Sequence, residues 1–170
     1  MDPLVGTSTL TGPLQSAVDL VISFGTDFFA FIVIAALIAA FSFYFGRDRL
    51  MALIAALYAA VILYQKFPFQ SLIPAGNAYF QIGLYLALAL IALVAFSGLS
   101  AFLAQSTSSF LGTAVLSITA AGMILAIAIH ILPVQQIYTF SAPTLALFAS
   151  DQMFFGWLAA PLVGLFFFGK

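Results

Sequence analysis

Residues 44–51 read YFGRDRLM, and these eight positions hold three of the nine formally charged side chains in a chain of 170 residues. Arg47, Asp48 and Arg49 stand between two apolar runs, 28–46 on one side and 50–64 on the other. A helix over the first run, rising ~1.5 Å per residue, covers about the ~30 Å of bilayer hydrocarbon. With so few residues between them, the two runs are predicted to form an antiparallel hairpin whose tip, GRDR, lies at one membrane face. Gly46 is suited to end the first helix in the left-handed conformation, Asp48 to cap the second, and the arginines to sit in the headgroup layer. Because basic residues favour the cytoplasmic side, Arg47 and Arg49 are the topology-determining residues, and the tip is expected to be cytoplasmic.

Composition leads to the same solvent. Hydrophobic residues make up 65% of the chain and charged residues 5%, and the mean hydropathy is +1.23. A soluble domain is roughly half apolar and a quarter charged. Four basic and five acidic side chains cannot coat a water-facing surface, so lipid must do the covering. The fold class predicted is all-α, a polytopic transmembrane helical bundle forming one integral membrane domain over 1–170. Cysteine is absent, which removes disulfides, thiol nucleophiles and thiolate metal sites. A net charge of -1 gives no electrostatic case for nucleic acid or for anionic lipid as a partner.

The remaining spans follow from charges, prolines and polar clusters. Lys66, Phe67 and Pro68 close the second span, and Lys66 is placed to snorkel. FPFQSLIPAGN at 67–77 and QSTSS at 105–109 bracket a third span, and Pro133 ends a fourth. A looser stretch leads from there to a last apolar run. Spans are therefore expected at about 28–46, 50–67, 78–104, 110–132 and 153–168, five being favoured over four. That count places the N-terminus and the 134–152 connection outside, and QSTSS and Lys170 inside.

The first 27 residues offer Asp2 and no lysine or arginine, so a cleavable leader is not expected. Gln15, Asp19, Ser23 and Asp27 recur every fourth residue and share one face of a helix over 14–27. The stripe has two readings. In one, 14–27 is an interfacial helix with the stripe in water. In the other, the helix runs straight into span one and Asp27 faces the bundle or a pore.

His130 and Asp151 are the other titratable positions where chemistry could reside. His130 lies three residues before Pro133, within reach of headgroups or a loop carbonyl, and a lone imidazole without further ligands does not make a metal site. Asp151 precedes the last run and suits the N-terminal end of a helix. Asp27 and His130 can lie at similar depth, so the pair is a candidate ion pathway. G-x-S-x-G, H-E-x-x-H and phosphate-loop patterns are absent, and no catalytic residue, cofactor site or metal site is assigned.

Small residues mark where helices approach. Ala52, Ala56 and Ala60 repeat at four-residue spacing in span two, Thr113, Ser117 and Ala121 in span four, and Gly156, Ala160 and Gly164 in the last run. In lipid the hydrophobic effect does not drive helix association, so faces that permit close backbone approach are expected contact surfaces. Pro161 either bends the last helix or sits where a neighbour satisfies a freed carbonyl.

A short N-terminal segment, a first span ending in FGRDRL, its hairpin partner and two further spans together resemble the colicin V production protein family of small bacterial inner-membrane proteins. The resemblance covers 28–133. Where that family shows a second glycine after its basic tip, this chain has Leu50 and Met51, and SDQMFFGWLAAPLVGLFFFGK at 150–170 has no counterpart. The likeness implies a bacterial inner-membrane protein linked to export or envelope maintenance, with no catalytic residue to carry over. The function expected is a non-enzymatic subunit or scaffold that assembles with itself or with another membrane protein. The alternative is a small ion or proton channel or transporter using Asp27 and His130.

Overall fold

Gly46 has φ 89° and ψ 157°, an extended conformation with positive φ that only glycine adopts without strain. It is the sole residue between two long helices, α1 (Thr11–Phe45) and α2 (Arg47–Gln65). Its N–H donates to the Ser42 carbonyl at 2.9 Å, and its own carbonyl accepts from Arg49 N–H at 3.2 Å, so the chain reverses within one turn of backbone hydrogen bonds. The hairpin expected from GRDR is present and tighter than its four letters suggest. Asp48 lies in the first turn of α2, but no side chain caps that helix.

The computed structural model describes residues 11–68, 77–99 and 110–168. Beyond the hairpin it contains α3 (Ala78–Leu99), α4 (Phe110–His130), a 3-10 turn at Pro133–Gln136, α5 (Ala142–Phe148) and α6 (Asp151–Phe168). The Gln15 side chain, positions 100–104 of the third span, the QSTSS break and Lys170 lie outside the described residues. Four helices are long and apolar enough to cross a membrane: Val21–Phe45, Arg47–Gln65, Ala78–Gly98 and Phe110–His130. α5 and α6 meet at 62° and together form a broken fifth span or a re-entrant element. The described residues form an all-helical membrane protein with four helices able to span, or five if the bent pair crosses.

α1 is one continuous helix of 35 residues, roughly 50 Å long at ~1.5 Å per residue. Residues 14–27 are thus continuous with span one, whose apolar stretch is Val21–Phe45, and of the two readings of the polar stripe the continuous helix is the one observed. No proline interrupts the described part of α1 beyond its first turn, which is why the helix passes through the boundary near residue 28.

α4 is the centre of the bundle. It packs on α1, α2, α5, α6 and the 3-10 turn, and it contributes to all three buried clusters. Leu116, Ala120 and Ala121 join Ile38, Leu50 and Ile54; Met123 and Ile127 join Leu57, Ala60 and Tyr85; Leu125, Ala126 and Ile129 join Phe148. Small residues explain why α4 can hold so many neighbours: a β-carbon at Gly122 would fall 2.0 Å from the Trp157 ring, so α6 reaches this depth only over a glycine. α3 is peripheral and rests on α2 and the 3-10 turn.

α6 carries an internal proline close to its hydrogen bond with α2. Pro161 is buried and lacks the N–H that would close the preceding turn. In that turn the Leu158 carbonyl accepts a hydrogen bond from the Tyr58 hydroxyl of α2.

Candidate functional site

Asp27 lies within the apolar stretch of α1 and is 5% exposed. A carboxylate at such a position must be paired, hydrogen-bonded or protonated, because hydrocarbon gives it no water. Its partners come from the connection between α4 and α6. Tyr138 Oη donates to Oδ1 at 2.7 Å, and Ser141 donates twice to Oδ2, from its backbone N–H and from Oγ, each at 2.8 Å. Ser141 Oγ is also 2.9 Å from Thr144 Oγ1. Since the single Ser141 hydroxyl proton points at the carboxylate, Thr144 is the donor in that second bond.

Local sequence explains this geometry. Ser141 precedes α5 with extended backbone at φ -66° and ψ 153°, and Pro143 occupies the first turn, the usual order of polar cap and proline at a helix start. Ser141 makes no side-chain cap of its own. Its hydroxyl is turned to Asp27 instead, while its carbonyl accepts from Leu145 N–H at 3.0 Å. Outside the spans, the Tyr138 phenol is held above its ordinary pKa, first by its hydrogen bond to Asp27, then by burial and by the nearby negative charge. Tyr138 also makes an edge contact with Phe140, ring centroids 4.9 Å apart.

Beside the carboxylate lies a cavity of about 150 Å³ among Phe24, Phe28, Phe31, Leu125, Phe148 and Trp157. Trp157 stacks on Phe148 at 5.0 Å, and its Nε1–H donates to the Leu147 carbonyl at 3.1 Å. The Asp27 oxygens are therefore engaged on the side of the connection, and aromatic rings border the open cavity beside them.

The structure does not bring the two members of the expected ion pathway together. His130 ends α4 and faces the opposite flank of the connection: Nε2 is 3.5 Å from Asp151 Oδ1, Nδ1 is 3.4 Å from the Ala149 carbonyl, and the ring stacks on Phe154 at 4.2 Å. The loop carbonyl expected for this histidine is present, and its acidic neighbour is Asp151 rather than Asp27. The capping bond at the start of α6 comes from Ser150, whose Oγ accepts from Met153 N–H at 3.3 Å. The rest of the acidic stripe divides by depth, Asp19 and Ser23 being exposed while Asp27 is buried.

The small-residue faces are largely consumed inside the chain. Ala52, Ala56 and Ala60 are buried, as are Thr113, Ser117 and Ala121. Gly164 faces Leu116 of α4, Ala160 is half-buried, and Gly156 is exposed with open space beside it. Of the topology-determining arginines, Arg49 is exposed, whereas Arg47 is only 7% exposed and is covered by the protein itself. Intrachain neighbours occupy the close-approach faces because α4 must seat several helices at once.

Sequence reasoning placed Asp27 and missed Tyr138, Ser141 and Thr144. The legible signal was Ser141-Ala142-Pro143, a helix start within the stretch taken as loose connection. Comparison with models of protein families, with curated proteins and with solved structures finds no match to this chain.

Proposed function

We propose that the chain is a non-enzymatic integral membrane subunit or scaffold. The observation that carries this reading is the outward character of two spans: α1 and α3 each have 11% of their most apolar window buried within the chain. On α3, Gly83 and Ala87 are exposed at four-residue spacing, with nothing near Gly83. An outward small-residue face of this kind allows a second helix to approach closely. The partner proposed is a second copy or another membrane protein, engaged through α3 rather than through the α2 and α6 stripes.

The Asp27 centre supports the same reading. Its carboxylate accepts three hydrogen bonds from one connection, as a clasp would, and apart from Asp27 itself and Thr144 the cavity beside it is lined by aromatic and aliphatic side chains. An ion pathway needs polar groups along its course, and His130 is engaged elsewhere. A channel or transporter would have to work from Asp27 alone. The resemblance over 28–133 adds a setting, the bacterial inner membrane and export or envelope maintenance, with the hairpin tip cytoplasmic and the N-terminus outside.

Native mass spectrometry from mild detergent tests this proposal, alongside proton and cation flux in liposomes. An oligomer or complex that Gly83→Leu disperses, with no flux from the pure protein, is the expected result. A monomer that conducts, and stops conducting on Asp27→Asn, overturns it in favour of the transporter.

A further inference from the structure

The hairpin tip borders an open cavity of about 260 Å³ with a partly polar lining, where the end of α1 and the starts of α2 and α4 converge. Ser42, Phe43, Gly46, Arg47, Phe110 and Thr113 line it. Arg47 carries a fixed positive charge there although it is only 7% exposed. Ser42 is 3% exposed, and its Oγ has no hydrogen-bond partner among the described residues. A buried hydroxyl in that state costs free energy unless something else meets it. Thr113, 4% exposed, adds a second hydroxyl.

Arg47 is also the first residue of α2, whose N-terminus no side chain caps. The positive end of the helix dipole therefore reinforces the guanidinium. Asp48, the acid on the same turn, is half-buried and does not line the cavity; Arg49 is exposed and does not line it either.

We propose that this cavity binds a phosphate group, and that its source is the headgroup of an anionic phospholipid. Lipid is favoured by the rim. Phe43 and Phe110 are 59% and 73% exposed and stack with centroids 5.7 Å apart, so the polar cavity opens beside an apolar surface at the end of two spans. A phosphate bearing acyl chains matches both parts, the anion to Arg47 and Ser42, the chains to the aromatic lip.

The test is thermal unfolding of the detergent-solubilised full chain, titrated with dioctanoyl phosphatidylglycerol, dioctanoylglycerol or inorganic phosphate. Dioctanoyl phosphatidylglycerol is expected to raise the Tm and dioctanoylglycerol to leave it unchanged. Arg47→Gln is expected to weaken the lipid's apparent affinity at least tenfold, with Arg47→Lys in between. An equal response to inorganic phosphate upholds the phosphate site and assigns its source as the free anion. An equal response to dioctanoylglycerol, or undiminished lipid affinity in Arg47→Gln, overturns the proposal. Should Arg47→Gln fail to fold, Ser42→Ala combined with Thr113→Val decides, because it keeps the charge: a several-fold loss supports the site, and unchanged affinity refutes it.

Discussion

Trp157 of α6 and Gly122 of α4 are in such close contact that a β-carbon at 122 would fall 2.0 Å from Cζ3 and 2.1 Å from Cε3 of the indole. The ring cannot step aside freely, since it is stacked on Phe148 and tied through Nε1–H to the Leu147 carbonyl. Gly122→Ala is therefore expected to destabilise the protein by about 1–3 kcal/mol, the usual cost of overpacking. Gly156→Ala, which meets open space, is expected to stay within about 0.5 kcal/mol of wild type. Melting both variants in detergent checks the contrast, and equal destabilisation would show that the α4–α6 seam is not set by this contact.

Asp27 and His130 are expected to behave as separate sites. An amide at 27 offers one acceptor oxygen in place of two, so Asp27→Asn leaves either Tyr138 or Ser141 facing an NH2 group and should cost about 2 kcal/mol. Combining it with Ser141→Ala should be clearly less than additive, because both act on the Ser141 Oγ–Asp27 hydrogen bond. Combining it with His130→Gln should be additive within about 0.5 kcal/mol, since the two share no partner. Strong coupling between 27 and 130 would contradict the arrangement described here.

The hairpin and the helical class were legible because charge is scarce: Arg47, Asp48 and Arg49 could only mark an end between apolar runs. The FPFQSLIPAGN break was legible from its prolines and polar residues, whereas the bond from Phe80 N–H to Asn77 Oδ1 at 3.1 Å, at the start of α3, was not read from it. What the sequence concealed was direction. Ala52, Ala56 and Ala60 turn inward, and nothing in their spacing says whether the close neighbour belongs to the same chain or another. The depth of Asp27 was equally hidden, because its partners lie 111 and 114 residues away in a stretch with no periodicity. Arg47 sits at a tip, where exposure is the default expectation, and the tightness of the Gly46 turn draws it inward.

Orientation is open to direct labelling. With the tip cytoplasmic, a cysteine at Asp48 should resist a membrane-impermeant thiol reagent in intact cells and react after permeabilisation, while a cysteine at Asn77, which is exposed, should react at once. The reverse pattern would invert the proposed topology. The natural absence of cysteine makes each signal unambiguous.

The Tyr138–Asp27 bond should leave a signature at alkaline pH. The phenol donates to the carboxylate at 2.7 Å only while it is protonated, and the bond holds its pKa above the ordinary value of ~10. A group whose pKa is raised on folding contributes stability that is fully present below its unfolded value and is lost as pH rises through the folded one. Tyr138→Phe should therefore lower stability at pH 7 to 9 by about 1 kcal/mol, the low end for a bond to a charged acceptor, because the residue is 42% exposed. Above the unfolded tyrosine pKa the gap between wild type and Tyr138→Phe should narrow, since ionised Tyr138 can no longer donate and faces the negative carboxylate. Other tyrosines titrate in both proteins and cancel in the difference. Melting the pair in detergent at pH 8 and pH 11 measures it, and a gap that stays constant across that range would show that this hydrogen bond does not stabilise the fold.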